Sequence, residues 1–193
     1  MSAKPELHAP DDFHVLTLGH STRPLAEFAA LLQGHHVARL IDIRTVPRSR
    51  HNPQFNRETL PDSLETYGIA YSHFPGLGGL RPKRKDSINT GWRNASFRAY
   101  ADYMQTDEFV RSLDEMLEIA AREQVALMCA EAVPWRCHRS LVADALFARG
   151  IAALEIINPE RSQPHKLTPF ALVEGTQVTY PAPAASPVNG ELF

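Results

Sequence analysis

Short apolar runs alternate with amphipathic stretches along most of the chain. Val15-Leu16-Thr17-Leu18 predicts a strand that stops at Gly19-His20-Ser21. Leu25, Phe28, Ala29 and Leu32 then recur at helical spacing, with Thr22 as a cap, Pro24 in the first turn and Gly34 at the end. Residues 38–43 predict a second strand, its alternation blurred as in strands covered on both faces. A short helix over 60–67 and a strand over 69–74 follow, and Pro75-Gly76-Leu77-Gly78-Gly79-Leu80 breaks the pattern. Helices are predicted over 96–104 and after Thr106, the second with Phe109, Leu113, Met116, Leu117 and Ala120 on one face. The run 125–130 is the central strand. A helix over 137–148 buries Leu141, Val142, Ala145 and Leu146, and a last strand covers 151–157.

Strands alternating with helices imply an α/β fold: a single three-layer domain of about five mainly parallel strands with helices on both faces. The domain spans 13–158. Residues 1–12 read as a flexible tail, and 159–193 as a Pro-rich extension, largely poorly ordered, with a marginal hairpin over 172–179. The long polar segment 75–95 is of the kind that is functional or disordered, and its glycines and charges are compatible with a lid, which the sequence does not decide.

In such folds ligands bind outside the carboxyl ends of the strands. Parallel strands bring Gly19-His20-Ser21, Asp42-Ile43-Arg44, His73 and Cys129-Ala130-Glu131 to one edge of the sheet. The helix that begins at Cys137-His138-Arg139 points its N-terminus there, and its free N–H groups favour an anion. Cys129, Glu131 and His20 are therefore the candidate nucleophile and proton-transfer groups. Arg44, Arg48 and Arg139, with Ser21, Asp42 and His138, are the candidates for holding substrate. For each there is a structural alternative: Cys129 as an inert buried thiol, Glu131 as a salt-bridge partner, His20 as a hydrogen-bonded core histidine, Asp42 as the holder of Arg44. A metal held by Cys129, Cys137 and His138 is a minor alternative, because Cys-x7-Cys-His is not a standard zinc spacing.

Composition narrows the class. The 193 residues are 44 % hydrophobic and 22 % charged, the balance of a globular domain, and no apolar run has the length of a membrane span. Two cysteines are too few for a disulfide framework, so reduced thiols and a cytoplasmic location are expected. The net charge of −2 gives no global attraction to nucleic acid, although Lys83, Arg84, Lys85 and Arg93 beside Trp92 form a local basic segment on which bases can stack.

The set Gly19-His20-Ser21, Asp42-Ile43-Arg44 with Pro47 and Ser49, Leu77-Gly78-Gly79, and Cys129-Ala130-Glu131 leading to Cys137-His138-Arg139 resembles the DUF-488 family over residues 14–157. The resemblance implies a compact α/β domain and specifies no activity. A weaker likeness is to rhodanese-type domains, which share the Asp-x-Arg strand end and a cysteine after a later strand. This chain departs from them by inserting Glu131, Pro134 and Trp135 before Cys137.

Three functions are consistent with these residues. The leading one is an enzyme acting on an anionic substrate, a phosphate-bearing small molecule, nucleotide or nucleic acid. The others are a non-catalytic nucleic-acid-binding module, and a sulfur-transfer or redox protein acting at Cys129. No cofactor and no oligomeric state is specified.

Overall fold

The computed structural model describes residues 13–182. Its central sheet has six strands in the order β3-β2-β4-β1-β5-β6. They are β1 His14–Gly19, β2 Arg39–Asp42, β3 Ala70–His73, β4 Val125–Cys129, β5 Ala152–Asn158 and β6 Arg161–Pro164. The first five run parallel, and β6 folds back antiparallel on β5. The fold class is therefore the expected α/β, with one more strand than the apolar pattern shows. β6, Arg-Ser-Gln-Pro, carries no hydrophobic residue and is largely exposed, so its sequence has no strand signature.

Helices cover both faces. On one, α1 (Leu25–Gly34) and α2 (Leu60–Glu65) pack Phe28, Leu32, Leu60 and Leu64 against Leu16, Leu18, Leu40 and Met128. On the other, α3 (Ala95–Tyr103), α4 (Asp107–Ala120) and α5 (Arg139–Phe147) pack Tyr100, Phe109, Leu113, Leu141 and Val142 against Val15, Ile41, Val125 and Leu127. Neighbours along a strand thus face opposite cores, which is why the strands read as continuous apolar runs. Asn94 and Thr106 cap α3 and α4 through their side chains. α1 has Pro24 at its N-cap and no side-chain cap, so Thr22 does not serve as one.

One expectation is corrected. Residues 159–182 are not loose: most are exposed, yet they are tied to the domain. The hairpin β7–β8 (Leu172–Glu174, Gln177–Thr179) forms, and Val178 and Tyr180 are buried in the core. The anchor is Asp144 of α5, whose carboxylate accepts hydrogen bonds from Thr168 N and Oγ1 and from the Tyr180 hydroxyl, and pairs with His165. Segment 75–95 is pinned along its length by hydrogen bonds. Arg81 donates to the carbonyls of Pro75, Gly76 and Gly78 and lies over the Tyr103 ring, while Asp102 accepts from Ser87 and Asn89. The tail 1–12 and residues 183–193 lie outside the described residues.

Candidate functional site

The parallel register brings the expected strand ends together. Gly19 lies opposite Cys129, and beyond it the amides of His20 and Ser21 bond the carbonyls of Cys129 and Ala130. The approach is so close that a Cβ on Gly19 would collide with the Glu131 carbonyl. Ser21 takes the left-handed conformation (φ 52°) to turn the chain away. After β4 the chain loops through Pro134–Arg136 and enters α5.

This loop closes Cys129 onto Cys137. The two sulfurs are in contact, with Cα atoms 7.5 Å apart, and a small backbone movement would bring them within the span of a disulfide. Each sulfur has one N–H donor and one acceptor beside it, the acceptor of Cys129 being the Glu131 carbonyl at 3.8 Å. Arg139 Nη1 donates to Cys129 Sγ at 3.0 Å, and the Arg139 amide, in the first turn of α5, donates to Cys137 Sγ at 3.4 Å. The Nδ1 of His138 faces Cys137 Sγ at 3.6 Å. Its Nε2 lies 3.0 Å from the Ile43 carbonyl, which only accepts, so Nε2 carries the proton and Nδ1 presents a lone pair to the sulfur. Burial lowers the His138 pKa to about 4 and keeps the ring neutral. Gly79 makes room for that ring, since a Cβ there would meet Nδ1.

Two of the three arginines expected to hold an anion, Arg44 and Arg139, are engaged by carboxylates of the protein. Arg139 has no solvent exposure; its Nη2 pairs with Glu155 Oε1 at 2.8 Å, and the guanidinium also donates to the Glu131 and Ala132 carbonyls. Glu155 in turn accepts from the Thr17 hydroxyl, and burial raises its pKa. Arg44 is buried. Its Nε and Nη2 grip both oxygens of Asp42, Nη2 also reaches the Phe55 carbonyl, and Nη1 donates to His20 Nε2 at 3.2 Å. Asp42 takes a further bond from the Tyr71 hydroxyl. Arg48 is exposed and does not line the cleft.

His20 is fixed by the same network. Arginine only donates, so His20 Nε2 accepts and Nδ1–H donates to the Ser21 carbonyl at 2.7 Å. The ring stacks on Phe55 at 4.2 Å, and burial lowers its pKa to about 4. Both ring nitrogens are hydrogen-bonded within the fold, and the ring links the loops after β1 and β2. Ser21 likewise works through its backbone and does not line the cleft. Among the described residues no group of three His, Cys, Asp or Glu side chains is arranged to hold a metal.

The sulfurs form the floor of an open cleft of about 300 Å³. Val46, Leu80 and Phe97 give it apolar walls, Thr45 and Ser96 add hydroxyls, and exposed Glu131 and Arg136 stand at the rim with no ion-pair partner among the described residues. Trp92 packs against Phe97, Phe170 and Tyr180, so it is not a free platform for a base.

Glu155 and Asp144 were not among the expected site residues. Each has a sequence signal of one kind, a lone carboxylate inside an otherwise apolar element: Ala-Ala-Leu-Glu-Ile-Ile and Leu-Val-Ala-Asp-Ala-Leu. Their partners, Arg139 for one and His165, Thr168 and Tyr180 for the other, are set by tertiary structure alone.

A family model described as "Domain of unknown function DUF488" matches residues 24–146. No curated protein and no solved structure matches the chain.

Proposed function

The chain belongs to the DUF488 family, a domain of unknown function, and we propose that it is a thiol–disulfide enzyme working through Cys129 and Cys137. One observation carries this reading: the two sulfurs touch at the floor of a cleft, one against a guanidinium and the other against a helix N-terminus and an unprotonated imidazole nitrogen. A nearby permanent cation and helix-terminal N–H groups favour thiolate over thiol, which is what such chemistry requires.

In the reduced enzyme Cys129 is the nucleophile, since its sulfur faces the fixed charge of Arg139. Its thiolate attacks a substrate disulfide R–S–S–R′. The Cys129–SR bond forms, and R′S⁻ leaves and takes a proton from water. Cys137 then attacks the Cys129 sulfur, the Cys129–Cys137 bond forms, and RS⁻ leaves with the proton that Cys137 gives up. The dithiol is oxidised and the substrate disulfide reduced by the same two electrons. The reverse sequence oxidises a dithiol.

His138 has a limited part. Burial lowers the His138 pKa to about 4, so the ring is a weak base and does not take the Cys137 proton outright. The ring accordingly accepts the S–H hydrogen bond and aims the sulfur, and the proton passes to the departing thiolate. The apolar walls and the rim charges of Arg136 and Glu131 suit a small disulfide with an apolar body and polar ends. The phosphate reading is less well supported, because Arg44 and Arg139 already hold carboxylates.

The test is a redox titration in dithiothreitol buffers with thiols counted by mass spectrometry. A reversible two-electron transition between paired and free Cys129/Cys137, lost in Cys129→Ser and in Cys137→Ser, is the expected result. Two thiols that stay free under oxidising buffer would overturn the reading.

A further inference from the structure

On the other side of Arg139 from the cleft lies a second cavity of about 560 Å³. Its walls are aromatic and proline-rich: Trp92, Trp135, Phe170, Pro134, Pro164 and Pro169. Its polar groups converge from different elements: Thr17 of β1, Glu155 of β5 and Arg139 of α5, with Lys166 contributed by the C-terminal extension. A roomy, largely apolar cavity with a few convergent polar side chains is the usual form of a small-molecule site. The thiol chemistry does not use it.

The charges select the ligand. Arg139 and Glu155 neutralise one another. Lys166 is exposed and has no ion pair among the described residues, so it leaves the cavity one uncompensated cation. Flat apolar walls favour a flat apolar body, and tryptophan faces stack on rings. We propose that this cavity binds a planar aromatic anion of the aryl carboxylate type, its ring stacked on the free face of Trp135 and bordered by Phe170 and the prolines, and its charge toward Lys166. The site takes shape only because Asp144 ties Thr168 and His165 down, so the C-terminal extension serves as one of its walls.

The protein carries its own probe, because both of its tryptophans line this cavity. The experiment is a titration of tryptophan fluorescence in the full-length protein with benzoate, cyclohexanecarboxylate and benzyl alcohol. Benzoate is expected to give a saturable change, with cyclohexanecarboxylate and benzyl alcohol each weaker. Lys166→Ala should weaken benzoate about fivefold and leave benzyl alcohol unchanged. Trp135→Ala, at a side chain 70 % exposed and so safe for folding, should weaken all aromatic ligands. No saturable response to benzoate, equal binding of cyclohexanecarboxylate, or indifference to both substitutions would overturn the proposal. None of these outcomes depends on the cysteines.

Discussion

Arg139 Nη1 donates to the sulfur of Cys129 at 3.0 Å while the same guanidinium pairs with Glu155 at 2.8 Å. The relationship joins α5, β4 and β5 at one point with no exposure to solvent. Burying a guanidinium is costly unless a counter-charge goes with it. Glu155 supplies that charge, and the other face of the group is left to polarise a thiol.

Removing either partner leaves an uncompensated buried charge. Arg139→Met is therefore expected to destabilise the fold by about 3–5 kcal/mol, and Glu155→Gln by less because a hydrogen-bonding amide remains. Denaturant unfolding checks this. An Arg139→Met loss below about 1 kcal/mol would place the pair in a far more solvated setting than the structure does.

The Asp42–Arg44 pair makes a separate prediction. It fastens β2 to Phe55 and His20, and through them the loop between Arg44 and Phe55. Asp42→Asn should loosen that loop while the sheet survives. Limited proteolysis is expected to cut first among residues 45–57, and an unchanged cleavage pattern would contradict the assignment.

Two buried histidines set a pH dependence. Folded His20 and His138 titrate near 4, below the ordinary 6.5, so the unfolded chain binds more protons between those values. Their contribution is complete above pH 6.5 and is lost as pH falls toward 4, by up to about 3 kcal/mol per group. Denaturation midpoints should drop over this interval, and His20→Gln should flatten the fall. A midpoint constant from neutral pH to the mid-fours would contradict the burial of both rings.

Resolution of the disulfide gives a fourth prediction. With Cys137→Ser, Cys129 cannot be released from its mixed disulfide, so incubation with a small aryl disulfide should trap a covalent adduct on Cys129 in full yield. Cys129→Ser should trap much less on Cys137, whose sulfur lacks the guanidinium. Equal trapping on both would remove the distinction between attacking and resolving cysteine.

Much of this was legible in the sequence, and the reasons differ by residue. The five apolar runs and the helical stripes fixed the parallel sheet, and parallel strands alone bring His20, Asp42 and Cys129 to one edge. Residue type did not reveal which groups face the cleft. Arg44 lines the cleft while its guanidinium grips Asp42, and Arg139 is turned inward onto Glu155. The partner of Arg44 lies two residues away, whereas that of Arg139 lies sixteen residues downstream, in strand β5. Strand β6 and the packing of Tyr180 on Asp144 rest on contacts made by polar or isolated residues, which leave no periodic trace.

The central claim is that Cys129 is held as a thiolate by Arg139, next to the cysteine that resolves it. The most direct measurement is the alkylation rate of Cys129 in the reduced protein against pH, followed by peptide mass spectrometry. The account predicts a titration well below the ordinary thiol value of about 8.5, moving up toward it in Arg139→Lys or Arg139→Met. A titration at or above the ordinary value in the unmodified protein, unaffected by those substitutions, would contradict it.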